Sequence, residues 1–247
     1  MRPFFKNNTE CMELVLRIVM DMPELVVKEV QTQDDKKNLQ GRSVRMDVVA
    51  TDGEGRIINV EVQRTDKGAR RRRARFHSSI LDASLLDAGE DFDGLPETYV
   101  IFITEHDVLG RGEAVYQIER CILNTGELFD DGAHILYVNG SYRGDTPVGW
   151  LMHDFFCARP EDMHYAVLAE RAGWFKHSAE GSDTMCRAVE ELWEEGRKVG
   201  EKRGEEKSSR RSAQRLLTIG KLTLEEIAEC TGLPLDEVRR LADALPH

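Results

Sequence analysis

No stretch of this 247-residue chain approaches the roughly 20 uninterrupted apolar residues that a membrane helix needs. Even the run from Leu14 to Met20 is broken by Arg17. The first residues do not read as a signal peptide. The five cysteines, at 11, 121, 157, 186 and 230, are widely scattered and form no Cys-x-x-Cys pair. That argues against a disulfide frame or a structural zinc site, and for reduced thiols in a cytoplasmic protein. The seven histidines show no metal-like spacing. Gly110-Arg111-Gly112 lacks the third glycine of a dinucleotide loop and reads as a turn. No P-loop and no Ser-His-Asp arrangement is present. Net basic charge is missing as well: 34 Lys and Arg stand against 45 Asp and Glu, a formal charge of −11. On its own that argues against nucleic acid, but the distribution of charge says more than its sum. The length is enough for one main domain with a full core and an appendage.

What the chain does have is a strongly patterned pair of segments. Val44, Met46 and Val48 alternate with Arg45 and Asp47; Ile58, Val60 and Val62 alternate with Asn59, Glu61 and Gln63. This reads as a β-hairpin with one apolar and one polar side. Asp52-Gly53-Glu54-Gly55 supplies the turn. Symmetry about Glu54 sets Asp47 opposite Glu61 and Arg45 opposite Gln63. Facing like charges destabilise a strand pair unless something compensates them. Two compensators stay open: Arg45, or a hard divalent cation such as Mg²⁺ or Mn²⁺ on oxygen ligands. A carboxylate-held Mg²⁺ is a common device for hydrolysing phosphodiesters.

A basic strip follows at once. Residues 64–75 carry Arg64, Lys67, Arg70, Arg71, Arg72, Arg73 and Arg75 against Asp66 alone, a local charge of +6. A solvated helix start would look the same. Its place directly after Gln63 favours a surface for phosphates, with Arg71, Arg72, Arg73, Arg75 and Arg45 as the phosphate contacts.

An Asp ending one strand, followed by Glu61-Val62-Gln63 on the next, resembles the core of the PD-(D/E)xK nuclease superfamily, with Gln63 in the place of Lys. Further segments stand around it: Gly41-Arg42-Ser43-Val44-Arg45-Met46-Asp47, Asn59-Val60-Glu61-Val62-Gln63-Arg64, Arg73-Ala74-Arg75-Phe76-His77, Tyr99-Val100-Ile101-Phe102-Ile103-Thr104 and Ile135-Leu136-Tyr137-Val138-Asn139-Gly140. In this order they are similar to the Rpn family of recombination-promoting nucleases, over roughly residues 4 to 175. The resemblance implies an α/β fold of the restriction-endonuclease type, a mixed sheet flanked by helices. It implies a metal-dependent DNA endonuclease associated with recombination or transposition. Mg²⁺, with Mn²⁺ as a substitute, would be held by Asp47, Glu61 and the Val62 carbonyl. Superfamily members often add an acid from the first helix, here Glu10, with Glu13 as the alternative. Gln63 joins the catalytic set: its amide can orient a water but brings no positive charge and cannot take a proton. Arg45, Arg73 or Arg75 would then supply the charge; otherwise the protein is an inactive DNA-binding or regulatory protein on the same fold. Phe76 stands where Tyr is commoner in the family, which removes a hydroxyl that would orient a phosphate. The resemblance implies further residues ahead of Met1-Arg2-Pro3-Phe4-Phe5, so a poorly anchored first helix is expected.

Periodicity predicts a helix over residues 9–21 capped by Asn8 or Thr9, a strand within 25–33, and a polar loop from Asp34 to Asn38. After the hairpin come a helix over 69–88, a central strand from Tyr99 to Thr104, and strands at Val115–Ile118 and Ile135–Val138. Helices follow over 148–157 and 161–174. We divide the chain into a nuclease-like domain (1–175), a charged helical linker (176–208) and a small helical segment (209–247). In the last, Thr223 and Glu226 form a capping box, Gly232 turns the chain and Pro234 opens another helix. This resembles a helix-turn-helix, with Arg239 and Arg240 as DNA contacts. A packing or dimerising helical pair is the alternative there, and a homo-oligomer held by the charged helix is a third reading of the whole chain.

Overall fold

Asn8 starts the first long helix: its Oδ1 accepts the Cys11 N–H at 2.9 Å. Cys11, Met12, Val15, Leu16 and Val19 then follow at helical spacing and are all buried. The computed structural model that holds this helix describes residues 2–6, 8–36, 44–63, 66–87, 89–178, 180–181 and 208–243. The chain divides into two compact units, Met1–Thr184 and Met185–His247. The part of the expected linker from 182 to 207 lies outside the described residues.

The first unit contains α1 (Arg2–Phe5), α2 (Thr9–Val19), β1 (Val27–Lys36), β2 (Val44–Asp52), β3 (Ile57–Gln63), α3 (Arg71–Asp82), β4 (Thr98–Thr104), β5 (Val115–Ile118), β6 (Ala133–Asn139), α4 (Pro147–Phe156) and α5 (Ala166–His177). One six-stranded sheet runs in the order β1-β2-β3-β4-β6-β5. β1, β2 and β3 pair antiparallel, β3, β4 and β6 parallel, and β5 returns antiparallel to β6. The fold is therefore α/β, a mixed sheet flanked by helices, with further helices in the C-terminal unit. Each sheet face has its own core. Val48, Ala50, Ile58, Val60, Ile101 and Val138 pack with residues of α1, α2, α4 and α5. Val49, Val100, Phe102 and Tyr137 pack against Ala74 and Leu81 of α3. β4 is buried at every position, as a parallel strand between two helical layers must be.

Three boundaries differ from the sequence expectation. Asp34 to Lys36 extend β1 beside Met46 to Val44 instead of forming a loop; pairing with a neighbour outweighs the turn preference of Asp. α3 ends at Asp82, where Ser84 Oγ donates to the Leu81 carbonyl at 2.7 Å. α5 starts only at Ala166, because the Asp154 carboxylate accepts the N–H groups of His164 and Tyr165 just before it. Nor is the first helix poorly anchored. Phe5 is fully buried, and the Arg171 guanidinium donates to the carbonyls of Phe4 at 3.0 Å and Lys6 at 2.9 Å.

In the second unit residues 208–219 form α6, followed by α7 (Leu224–Thr231) and α8 (Leu235–Asp243). Ala213, Ile227 and Val238 make its core, so α6 packs as a third helix with the α7–α8 pair. Thr223 and Glu226 form the capping box, and Gly232 closes α7 in the left-handed region at φ 68°.

Candidate metal centre and nucleic-acid interface

Symmetry about Glu54 holds wherever β2 and β3 pair: Val48 faces Val60, Val49 Asn59, Ala50 Ile58 and Thr51 Ile57. The next two residues outward are Asp47 and Glu61, and there the ladder stops. β2 continues beside β1 as far as Val44 and Lys36, β3 beside β4 as far as Gln63 and Thr104. The strands part at the carboxylates like the arms of a fork. Backbone groups that lose partners there need others, and the acids provide them. Asp47 N–H donates to Glu61 Oε1 at 3.0 Å, and Val62 N–H donates to Asp47 Oδ2 at 3.2 Å. The Gln63 carbonyl accepts the Glu105 N–H on the β4 side, so by strand alternation the Val62 carbonyl turns towards the opening of the fork.

The alternation of β2 breaks at the same place. Val44 and Met46, expected on the side of Val48, pack instead with Val49 and Phe102. Val48 and Ala50 stay in the core of the opposite face. Asp47, between Met46 and Val48, is the residue at which the strand changes face.

Asp47 is 5% exposed and Glu61 fully buried. Burial, and after it the charge of Asp47, push the Glu61 carboxyl up to about 7, against the Asp47 N–H and the Arg73 guanidinium. Arg73 Nη2 lies 3.5 Å from Glu61 Oε2, and Gln63 Nε2 donates to the same oxygen at 3.3 Å. Arg73 Nε donates to His77 Nε2 at 3.2 Å. A neutral His77 therefore carries its proton on Nδ1, which stands 3.6 Å from Glu61 Oε1. Asn59 Nδ2 lies 3.3 Å from that nitrogen while Asn59 Oδ1 is buried without a hydrogen-bond partner. The same amide also donates to the Glu61 carboxylate and works against the rise of its pKa. Gln63 in turn lies across Gly68: a Cβ there would collide with Gln63 Oε1.

Of the residues expected at the site, the fold brings Asp47, Glu61, Val62, Gln63 and Arg73 together. Arg71, Arg72 and Arg75 are exposed on the first turns of α3, and Arg45 is exposed on β2. Arg64 lies outside the described residues. Glu10 is not brought to the fork; it is exposed on α2, whose core lies on the other sheet face. Glu13 instead accepts the Val27 N–H at 2.8 Å and pairs with Arg17 at 2.7 Å. On α8, Arg239 and Arg240 are exposed, Arg239 standing 3.7 Å from Asp236. Three residues were missed. His77 lies one helical turn after Arg73, so its shared face was a usable signal. Asn59 shared the polar side with Glu61. Gly68 carried no signal at all.

The donor set fits a hard cation. Two carboxylates and a carbonyl are all oxygen, and a cation between them would offset both the burial and the Asp47 charge that raise Glu61. A family model described as PD-(D/E)XK nuclease family transposase matches residues 7–140, from the approach to α2 to the end of β6. No curated protein and no solved structure matches the chain.

Proposed function

We propose, for a chain that belongs to the PD-(D/E)XK nuclease family of transposases, that the Asp47–Glu61 fork hydrolyses DNA phosphodiesters with Mg²⁺ or Mn²⁺ during recombination or transposition. The fork carries this reading: two buried acids, one of them raised by burial and then by the charge of the other, opening beside an arginine helix. Asp47, Glu61 and the Val62 carbonyl would hold the ion, which would supply an acidified water and neutralise charge at phosphorus. The Gln63 amide would orient a water there. Arg73, within 3.5 Å of Glu61, supplies the positive charge that Gln63 lacks, acting on charge that develops in the transition state. Arg71, Arg72, Arg75 and Arg45 hold flanking phosphates and carry no sequence information. Arg239 and Arg240 are the DNA contacts proposed for the C-terminal unit by itself.

The test is plasmid cleavage in Mg²⁺, Mn²⁺ or EDTA. Nicking or linearisation is expected with either ion and none with EDTA. Asp47→Ala abolishes it, and Arg73→Ala lowers it by about 10²-fold or more. An intact plasmid under all conditions sinks the nuclease reading. A second reading, an inactive DNA-binding protein, rests on Gln63 itself, whose amide is engaged by Glu61 at 3.3 Å. Salt-sensitive binding without cleavage would select it.

A further inference from the structure

Asp154 on α4 is 2% exposed, and two imidazoles converge on one of its oxygens. His153 Nδ1 lies 3.1 Å and His164 Nδ1 3.0 Å from Asp154 Oδ1. The two rings meet edge to face with centroids 4.7 Å apart. The carboxylate is already well served by backbone: the His164 N–H reaches Oδ1 at 2.9 Å and Oδ2 at 3.0 Å, and the Tyr165 N–H reaches Oδ2 at 2.9 Å. Its structural task, fixing the chain before α5, is met without either side chain. Two imidazoles on the same oxygen are surplus to that task. Both are accessible, at 42% and 43% side-chain exposure. Trp150 lies parallel to the His164 ring at 6.0 Å, and Asp145 holds the Trp150 indole N–H at 2.8 Å.

We propose that His153, Asp154 and His164 form a transition-metal site that clamps α4 to the entry of α5. One ligand atom from each lies within 4.8 Å of the others. Ligands about 2.0–2.1 Å from a tetrahedral ion stand roughly 3.3 Å apart, so the two contacts to Oδ1 need open by only a few tenths of an ångström. On binding, the proton of each Nδ1 moves to Nε2 of the same ring and the lone pair faces the ion. Two nitrogens and one carboxylate suit Zn²⁺ or Co²⁺, whereas Mg²⁺ prefers the all-oxygen fork. The site lies outside the residues matched by the nuclease family, and it does not depend on the nuclease reading.

The experiment uses the full chain carrying Asp47→Asn and Glu61→Gln, which removes the fork as a binding site. Co²⁺ is titrated against visible d–d absorption and Zn²⁺ by calorimetry. One equivalent bound in the micromolar range or tighter is expected. His153→Ala and His164→Ala should each weaken it by about tenfold or more and abolish the d–d band. On the unsubstituted chain, Zn²⁺ should shift the imidazole ¹⁵N resonances of His153 and His164. No binding, binding unchanged by the histidine substitutions, or unmoved resonances overturns the proposal.

Discussion

Glu61 is a carboxyl that the fold keeps from ionising easily. Burial and Asp47 raise it from 4.5 to about 7. A carboxyl raised on folding favours the folded state while protonated. That stability is complete below about pH 4.5 and is lost as pH rises through about 7. A cation in the fork offsets the loss. The rise in melting temperature caused by Mg²⁺ should therefore be larger near pH 8 than near pH 6. Glu61→Gln should flatten that difference and melt above the metal-free parent near pH 8. Equal Mg²⁺ effects at both pH values in the parent would remove Glu61 from the site. Gly68 offers a second test at this scale. Its substitution by Ala meets only the flexible Gln63 side chain, so stability should change by no more than about 1 kcal/mol. Gln63 is nevertheless driven off Glu61, and cleavage should fall as far as in Gln63→Ala, by about 10²-fold at most. Undiminished cleavage in Gly68→Ala would make Gln63 a bystander.

At the scale of elements, the fork turns two strands into a site. β2 follows β1 and β3 follows β4 past the last shared pair, and the acids serve as acceptors for the N–H groups left behind. α3 closes that face with Ala74 and Leu81 inward and its arginines outward, an amphipathic split that needs no ligand to explain its packing. The C-terminal helices stand differently. α7 and α8 carry Glu225, Glu226, Glu229, Asp236, Glu237 and Asp243 against Arg239 and Arg240, while their core is three fully enclosed residues. Ile227→Ala should cost that unit about 2–5 kcal/mol. Limited proteolysis should then cut within 208–243. A variant as resistant as the parent would show that Ile227 does not hold the three helices together.

For the whole molecule, a net charge of −11 coexists with a local +6. DNA should be held by that strip against general repulsion, so binding should weaken steeply with salt. Replacing Arg71, Arg72 and Arg75 by Ala should reduce the slope of log K against log salt by about 0.9 for each phosphate no longer neutralised; an unchanged slope would place the DNA elsewhere. How much of this was legible follows from the range of the forces involved. The hairpin register, the acid pair, the central strand and the Thr223 capping box came from the sequence by itself, because strand alternation, turn chemistry and caps act over a few residues. Only the tertiary structure decided where the β2–β3 ladder ends, that Val44 and Met46 change face, and that Glu10 stays away. The same holds for His77 and Gly68 at the fork and for His164 beside His153 and Asp154. Those outcomes depend on which strand lies beside each arm and which helix covers each face, and burial by distant segments carries no periodicity along the chain.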